Sequence, residues 1–253
     1  MENVAERLSS RAREFRDWAS NTERFLESCD GGDPGSPVNP SIWVLGIEPG
    51  WSLADQAQEA NGQKDSPETL AEYSIELQLG THFNLAAFKL LAALDGRSPA
   101  DYLAFAHEKR PFERGCAGYF KGNLFPEPFY NIPAWDDEAI RATGFPSKAD
   151  YQVWMRKTRF PVLTSWIEKC QPKLIIGVGL AHCEDFSAVV QALEAPATHS
   201  FEVNGHSKRM ALTNSGSAPL AIIPHLTGGP NGLNSNEAIA HAAEKIRSHL
   251  LIA

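Results

Sequence analysis

Short apolar runs that break off at glycine or proline constrain the architecture of this chain more than any other feature. Ile42-Trp43-Val44-Leu45 stops at Gly46, Lys173–Val178 stops at Gly179, and Leu220–Ile223 stops at Pro224. Runs of this length bounded by turn formers read as buried strands. A further short strand is expected near Lys121–Phe125. Residues 201–203 and 209–213 are expected to form a hairpin across Asn204-Gly205, a strong turn dipeptide. Between the strands lie stretches with helical periodicity. Val4, Leu8, Phe15, Trp18 and Phe25 predict a helix over 3–28. Further helices are expected over 67–79 (Ser66 as cap, Pro67 at the first helical position), 83–94 and 99–109 (Ser98 as cap). The remaining ones are 148–169, which Pro161 should kink or split, 181–194, and 234–250 with Asn234 as cap. Asp30–Pro40, with three glycines and three prolines, reads as a loop, and the polar residues 51–66 as an active-site loop or a mobile segment. Strands alternating with helices predict one α/β domain over residues 1–253. Its expected form is a three-layer α/β/α sandwich around a mainly parallel central sheet.

Composition removes several classes of function. No apolar stretch approaches the ~20 residues of a membrane span, and the charged N-terminus lacks a signal-peptide core. Cys29, Cys116, Cys170 and Cys183 form no C-x-x-C pair, so no metal site is expected. They read as free thiols of a cytoplasmic protein. The net charge of -8 argues against a general nucleic-acid binder, but a local basic groove is compatible with it. Arg156, Lys157 and Arg159 are expected on an exposed helix face, where they would offer a phosphate track, as would Lys208 and Arg209. His182-Cys183-Glu184-Asp185 contains ligand types but opens a helix, where acids are favoured anyway. Gly177-x-Gly179 has His182 where a dinucleotide fingerprint needs glycine, and no nucleophile elbow or P-loop is present. No cofactor is expected.

Three segments carry chemistry. Gly46-Ile47-Glu48-Pro49-Gly50 projects one acidic side chain from the end of the first apolar strand, where open α/β sheets place their ligands. His225 likewise leaves the end of a strand and precedes a turn-rich stretch, Thr227-Gly228-Gly229-Pro230-Asn231-Gly232. Exposed backbone N–H groups there would suit a phosphate. Asn123, in Lys121-Gly122-Asn123, offers a donor and an acceptor that match the edge of a nucleobase.

In this order the three segments resemble the uracil-DNA glycosylase superfamily. Gly46–Gly50 is similar to its G-x-N-P-G motif, with Glu48 at the Asn position. Pro224-His225-Leu226-Thr227-Gly228 is similar to H-P-S-P, and Pro230-Asn231-Gly232-Leu233-Asn234 echoes N-P-S-G-L. Gln171–Gly179 is similar to the family's I-x-P-K-V-I-V-A-L-G passage. Leu226 and Thr227 depart from the Pro and Ser of the second motif.

The resemblance implies hydrolysis of the N-glycosidic bond of a damaged or modified base in DNA, without metal or organic cofactor. Glu48 and His225 would be catalytic. Asn123 would read the base, Phe83 would stack on it, and Gly46, Ile47, Pro49 and Gly50 would line its pocket. Thr227, Gly228, Gly229, Asn231 and Gly232 would press on the DNA backbone. The competing class is a non-catalytic nucleobase, nucleotide or nucleic-acid binder on the same fold.

Overall fold

Seven strands form one mixed sheet in the order β1 (Gly31–Gly32), β5 (Tyr119–Asn123), β4 (Ile42–Gly46), β6 (Leu174–Val178), β9 (Leu220–Ile223), β8 (His206–Thr213) and β7 (Ala197–Val203). The four central strands, β5, β4, β6 and β9, run parallel, and β1, β8 and β7 pair antiparallel at the edges. β2 (Gly35–Ser36) and β3 (Asn39–Pro40) form a separate small ribbon within the 30–40 loop. This computed structural model describes residues 9–49, 73–127, 135–226, 228–229 and 231–250. The expected helix start at Ser66-Pro67 and the polar segment 51–66 lie outside the described residues.

The fully apolar run of β4 is explained by burial on both sides. Ile42 and Val44 join one core with Phe88 and Leu91 of α3 (His82–Leu94), Phe105 of α4 (Tyr102–Lys109) and Ile239 of α8 (Asn236–Leu250). Trp43 and Leu45 join the other with Phe15 of α1 (Ser10–Ser20), Met155 and Leu163 of α6 (Lys148–Cys170) and Phe186 of α7 (Cys183–Val189). Alternation of side chains along a strand divides them this way. Full burial of each such side chain contributes roughly 1.5–3 kcal/mol. The Trp43 indole N–H is satisfied by the Pro34 carbonyl at 2.8 Å. The β7–β8 hairpin turns at Asn204 and Gly205, both left-handed at φ 52° and 73°, as a type I′ turn requires. α2 (Ile75–Leu79) and α5 (Asp137–Thr143) complete the described helices. None of these is long and apolar enough to cross a membrane.

Several expectations need correction. Within the predicted 3–28 helix, α1 ends at Ser20 and a 3-10 turn covers Phe25–Ser28. The Asn21 carboxamide accepts the Glu23 N–H at 2.9 Å, a local turn that competes with helix. Pro161 does not split α6, which runs unbroken. Pro161 and Lys157 are both exposed, so the carbonyl freed four residues back faces water. The helix predicted over 181–194 is only Cys183–Val189, because the Val190 carbonyl is taken by Ser217 N–H (2.7 Å) and Gln191 turns left-handed. β5 lies two residues earlier than expected, and Leu124 and Phe125 continue beside β4 by donating to the Gly46 and Ile47 carbonyls. Ser235, not Asn234, caps α8, through a 3.1 Å bond from Ala238 N–H.

Two cations are not where a phosphate track would need them. Arg159 is 0% exposed, because the i, i+4 spacing from Tyr151 and Met155 puts it on the inner face of α6. Lys208 is buried, and its ammonium donates to the Gly232 carbonyl at 2.8 Å.

Candidate functional site

Parallel strands end on the same edge of a sheet, and the turns that follow them share one space. Here that space is a cavity of about 480 Å3. β4 and the turn after it contribute Gly46, Ile47, Glu48 and Pro49. β5 contributes Lys121 and Asn123, the end of β6 contributes Val178, and the turn after β9 contributes His225. Thr81 and Phe83, at the start of α3, close another side with Tyr73 and Asp30. Glu48, Asn123, Phe83 and His225 are therefore brought together, with Gly46, Ile47 and Pro49. Gly50 and Thr227 lie outside the described residues.

The glycine of the first motif has a steric reason. Gly46 and Asn123 are partners in the β4–β5 register, and a Cβ on Gly46 would meet the Asn123 Oδ1 at 2.3 Å. The absent side chain makes the room in which the Asn123 carboxamide sits, 4% exposed. The amide Nδ2 donates to Asp30 Oδ1 at 3.4 Å.

Glu48 is held more tightly than a free catalytic acid. Its side chain is 4% exposed, and Oε2 accepts from the Lys148 ammonium at 2.8 Å. Lys148 opens α6, whose Ser147 cap bonds Asp150 N–H. Burial pushes the Glu48 carboxyl above its ordinary range, and the Lys148 bond and the charges of Lys148 and His182 offset this only in part. Oε1 has no hydrogen-bond partner among the described residues. A buried unpaired carboxylate oxygen is costly unless a water or ligand supplies the missing donor.

His182, from the turn before α7, bonds through Nδ1 to Asp185 Oδ2 at 2.9 Å. Arg156 holds the same carboxylate at 2.6 and 2.9 Å. Burial acts to raise the Asp185 pKa, but the bonds from His182 and Arg156 reverse this and hold it at about 2.

Lys121, Asp30 and Tyr73 form the polar wall of the cavity. The Lys121 ammonium lies 2.9 Å from Asp30 Oδ2 and 2.8 Å from the Tyr73 hydroxyl. It also sits 5.0 Å from the centre of the Phe83 ring and 5.2 Å from that of Tyr73. Burial works against this charge, yet Asp30 and Tyr73 outweigh it and raise the ammonium's pKa. The Lys121 cation thus sits over the Phe83 ring, which also packs against the core that holds Ile42 and Val44.

His225 is exposed and borders a second cavity of about 360 Å3. Gly228, Gly229, Asn231 and Gly232 line it, with Arg209 opposite. Gly228 and Gly229 are both left-handed, at φ 69° and 71°. The loop is closed by the His225 carbonyl accepting Leu233 N–H at 2.9 Å. Arg209 is exposed beside it, so the basic side chain available to an anion there is Arg209 and not Lys208.

Sequence reasoning missed Asp30, Tyr73, Lys121 and Lys148 as site residues. Lys121 carried a usable signal, because residues two apart on a strand share a face and Asn123 was already singled out. Asp30, Tyr73 and Lys148 arrive from distant segments and carried none. The chain matches no protein-family model and no curated protein.

Proposed function

We propose that this chain is a uracil-DNA glycosylase-like protein, a three-layer α/β/α fold that hydrolyses the N-glycosidic bond of a damaged or modified base in DNA. The observation that supports this reading best is the single cavity shared by Glu48, Asn123, Phe83 and His225 at the ends of the parallel strands. In the reaction the bond between the anomeric carbon and the base nitrogen breaks and its electron pair leaves with the base. Water adds to the oxocarbenium-like sugar, and its proton passes to the departing base or to solvent. In this reading Glu48, which lines the cavity, orients that water, and the carboxylate's charge favours the cationic sugar. His225 donates to the base as negative charge develops on it. Asn123 reads the polar edge of a base rotated out of its stack, and Phe83 packs against the ring. The test is abasic-site formation, read as alkali-sensitive scission of duplex and single-stranded oligonucleotides carrying uracil, hypoxanthine or an oxidised pyrimidine. Scission of none of these sinks the proposal.

One observation favours a second reading, a binding protein without catalysis. Glu48 is clamped by Lys148, and an acid committed to an ion pair is a poorer water activator than a free one. Binding of a base or nucleotide with no scission would select this reading.

A further inference from the structure

We infer that His182 is a positioning residue that makes the Glu48 site proton-responsive: with a second proton on its ring it holds Glu48 as a carboxylate, and on losing that proton it relaxes the hold. Its effect on scission rests on the hydrolase reading above. The coupling of the two groups does not.

His182 belongs to the support of the Ile47–Glu48 turn. Its backbone N–H donates to the Gly179 carbonyl at 3.0 Å, which closes the turn leaving β6. Gly179 lies directly against Ile47, for a Cβ there would meet Ile47 Cδ1 at 2.5 Å. Phe125 holds Ile47 as well, its N–H donating to the Ile47 carbonyl at 2.9 Å. The His182 ring packs edge-on to the Phe125 ring, with 5.9 Å between centres, and its side chain is 14% exposed.

One end of that ring is fixed. Asp185 is ionised, and a carboxylate only accepts, so Nδ1 carries a proton and donates to Oδ2 at 2.9 Å. Nε2 is then the nitrogen that gains or loses a proton. Arg156 grips the same carboxylate with two bonds and cancels its charge. A proton on Nε2 therefore adds an uncancelled positive charge to the cluster, and Glu48 feels it. The Glu48 side chain is 4% exposed, so little water screens that field. The other titratable groups around the pair are Glu184 on α7 and Lys148 and Tyr151 on α6. Burial pushes the Tyr151 phenol far up, so it stays neutral. Of His182-Cys183-Glu184-Asp185, the first and last residues thus act together on the cavity's acid.

The coupling runs both ways. A protonated His182 favours the Glu48 carboxylate, and that carboxylate favours the proton on His182. Burial alone would neutralise Glu48 early as pH falls. His182 extends the range of the carboxylate toward acid.

NMR of isotope-labelled glutamate carboxyl carbons tests this, with the Glu48 signal identified as the one missing from Glu48→Gln. In native protein that signal should show a second inflection at the pH where the His182 ring signal titrates. His182→Asn keeps a donor for Asp185 but no charge, and should raise the Glu48 midpoint by about 0.5–1 pH unit. His182→Lys keeps a charge and should hold the midpoint near the native one. Scission by the same proteins is scored against pH. Its acid limb should move up with the midpoint in His182→Asn, whereas a merely structural role would lower the rate at every pH. A single inflection in native protein, an unmoved midpoint in His182→Asn, or an acid limb that stays while the midpoint moves each overturns the inference. A moved midpoint without scission at any pH keeps the coupling and removes the hydrolase.

Discussion

Gly46 and Asn123 stand opposite each other on adjacent parallel strands, and the asparagine amide occupies the volume that any side chain on Gly46 would need. Gly46→Ala should therefore displace Asn123 and cost about 1–3 kcal/mol. Because the clash is with that one side chain, Asn123→Ala added to Gly46→Ala should recover most of the loss. Urea unfolding of the two single variants and the double variant gives the coupling directly, and simple additivity would refute the steric account.

Glu48→Gln changes two properties at once. The Lys148 ammonium keeps an acceptor but loses its countercharge where it is only 12% exposed, so stability should fall by about 1–3 kcal/mol. If Glu48 also serves the reaction, scission should slow by about 10²–10⁴-fold, far more than the fraction unfolded explains. Lys148→Met separates the two effects. It should destabilise similarly but leave the carboxylate free, so scission per folded molecule should survive better than in Glu48→Gln.

The two buried carboxylates should shape acid stability with opposite signs. Asp185, held at about 2, binds its proton less readily folded than unfolded. Its contribution is present above the ordinary carboxylate range and is lost as pH falls through about 2. Glu48, raised by burial, contributes fully below that range and loses the contribution as pH rises through its folded pKa. In urea midpoints across acid to neutral pH, the advantage of native protein over Asp185→Asn should grow with pH. Its advantage over Glu48→Gln should shrink. Parallel trends for the two variants would contradict the assignment.

Arg159 is a buried cation with few compensating contacts. Its guanidinium lies 4.6 Å from the Phe25 ring centre and 3.9 Å from Cys29 Sγ, and Nε and Nη1 have no partner among the described residues. Desolvation outweighs those contacts and lowers its pKa. Replacing a poorly compensated buried charge by an apolar side chain of similar length is often neutral or stabilising. Arg159→Met should leave the unfolding temperature unchanged or raise it, as read by calorimetry. A large fall would reveal a partner beyond the described residues.

The strands β4, β6 and β9 and the positions of Glu48 and His225 were legible because each rests on a local pattern, an apolar run and then a turn, whereas Asn123 was singled out by its amide and its strand was placed two residues late. Even the edge hairpin could be read, from the two residues of its turn. Helix ends were less legible. Asn21 and Val190 end helices through bonds to Glu23 and Ser217, which compete with helical periodicity and override it. The antiparallel strands at both edges were underweighted because alternation with helices speaks only for the parallel centre. Of the polar wall, only Lys121 had a readable signal, its two-residue spacing from Asn123. Asp30, Tyr73 and Lys121 meet through the tertiary fold, and Asp30 sits in a stretch whose composition says only loop. Arg159 was misread because charge was weighed above its spacing from Tyr151 and Met155.

The pairing of β4 with β6 carries a consequence for how the protein is made. About half of the chain lies between Ile42 and Leu174, which are register partners, and β5 and β9 are also recruited from far along the sequence. Of the pairings in the large sheet, the β7–β8 hairpin closes over the shortest span, and it lies outside the cleft. Long loops must lose their entropy before such contacts repay it, so folding should be slow for a chain of this size. During synthesis, Glu48 and Asn123 emerge well before His225, and the cleft stays unformed until β9 has left the ribosome. Fragments ending before β9 would carry two of the three motifs and would lack His225.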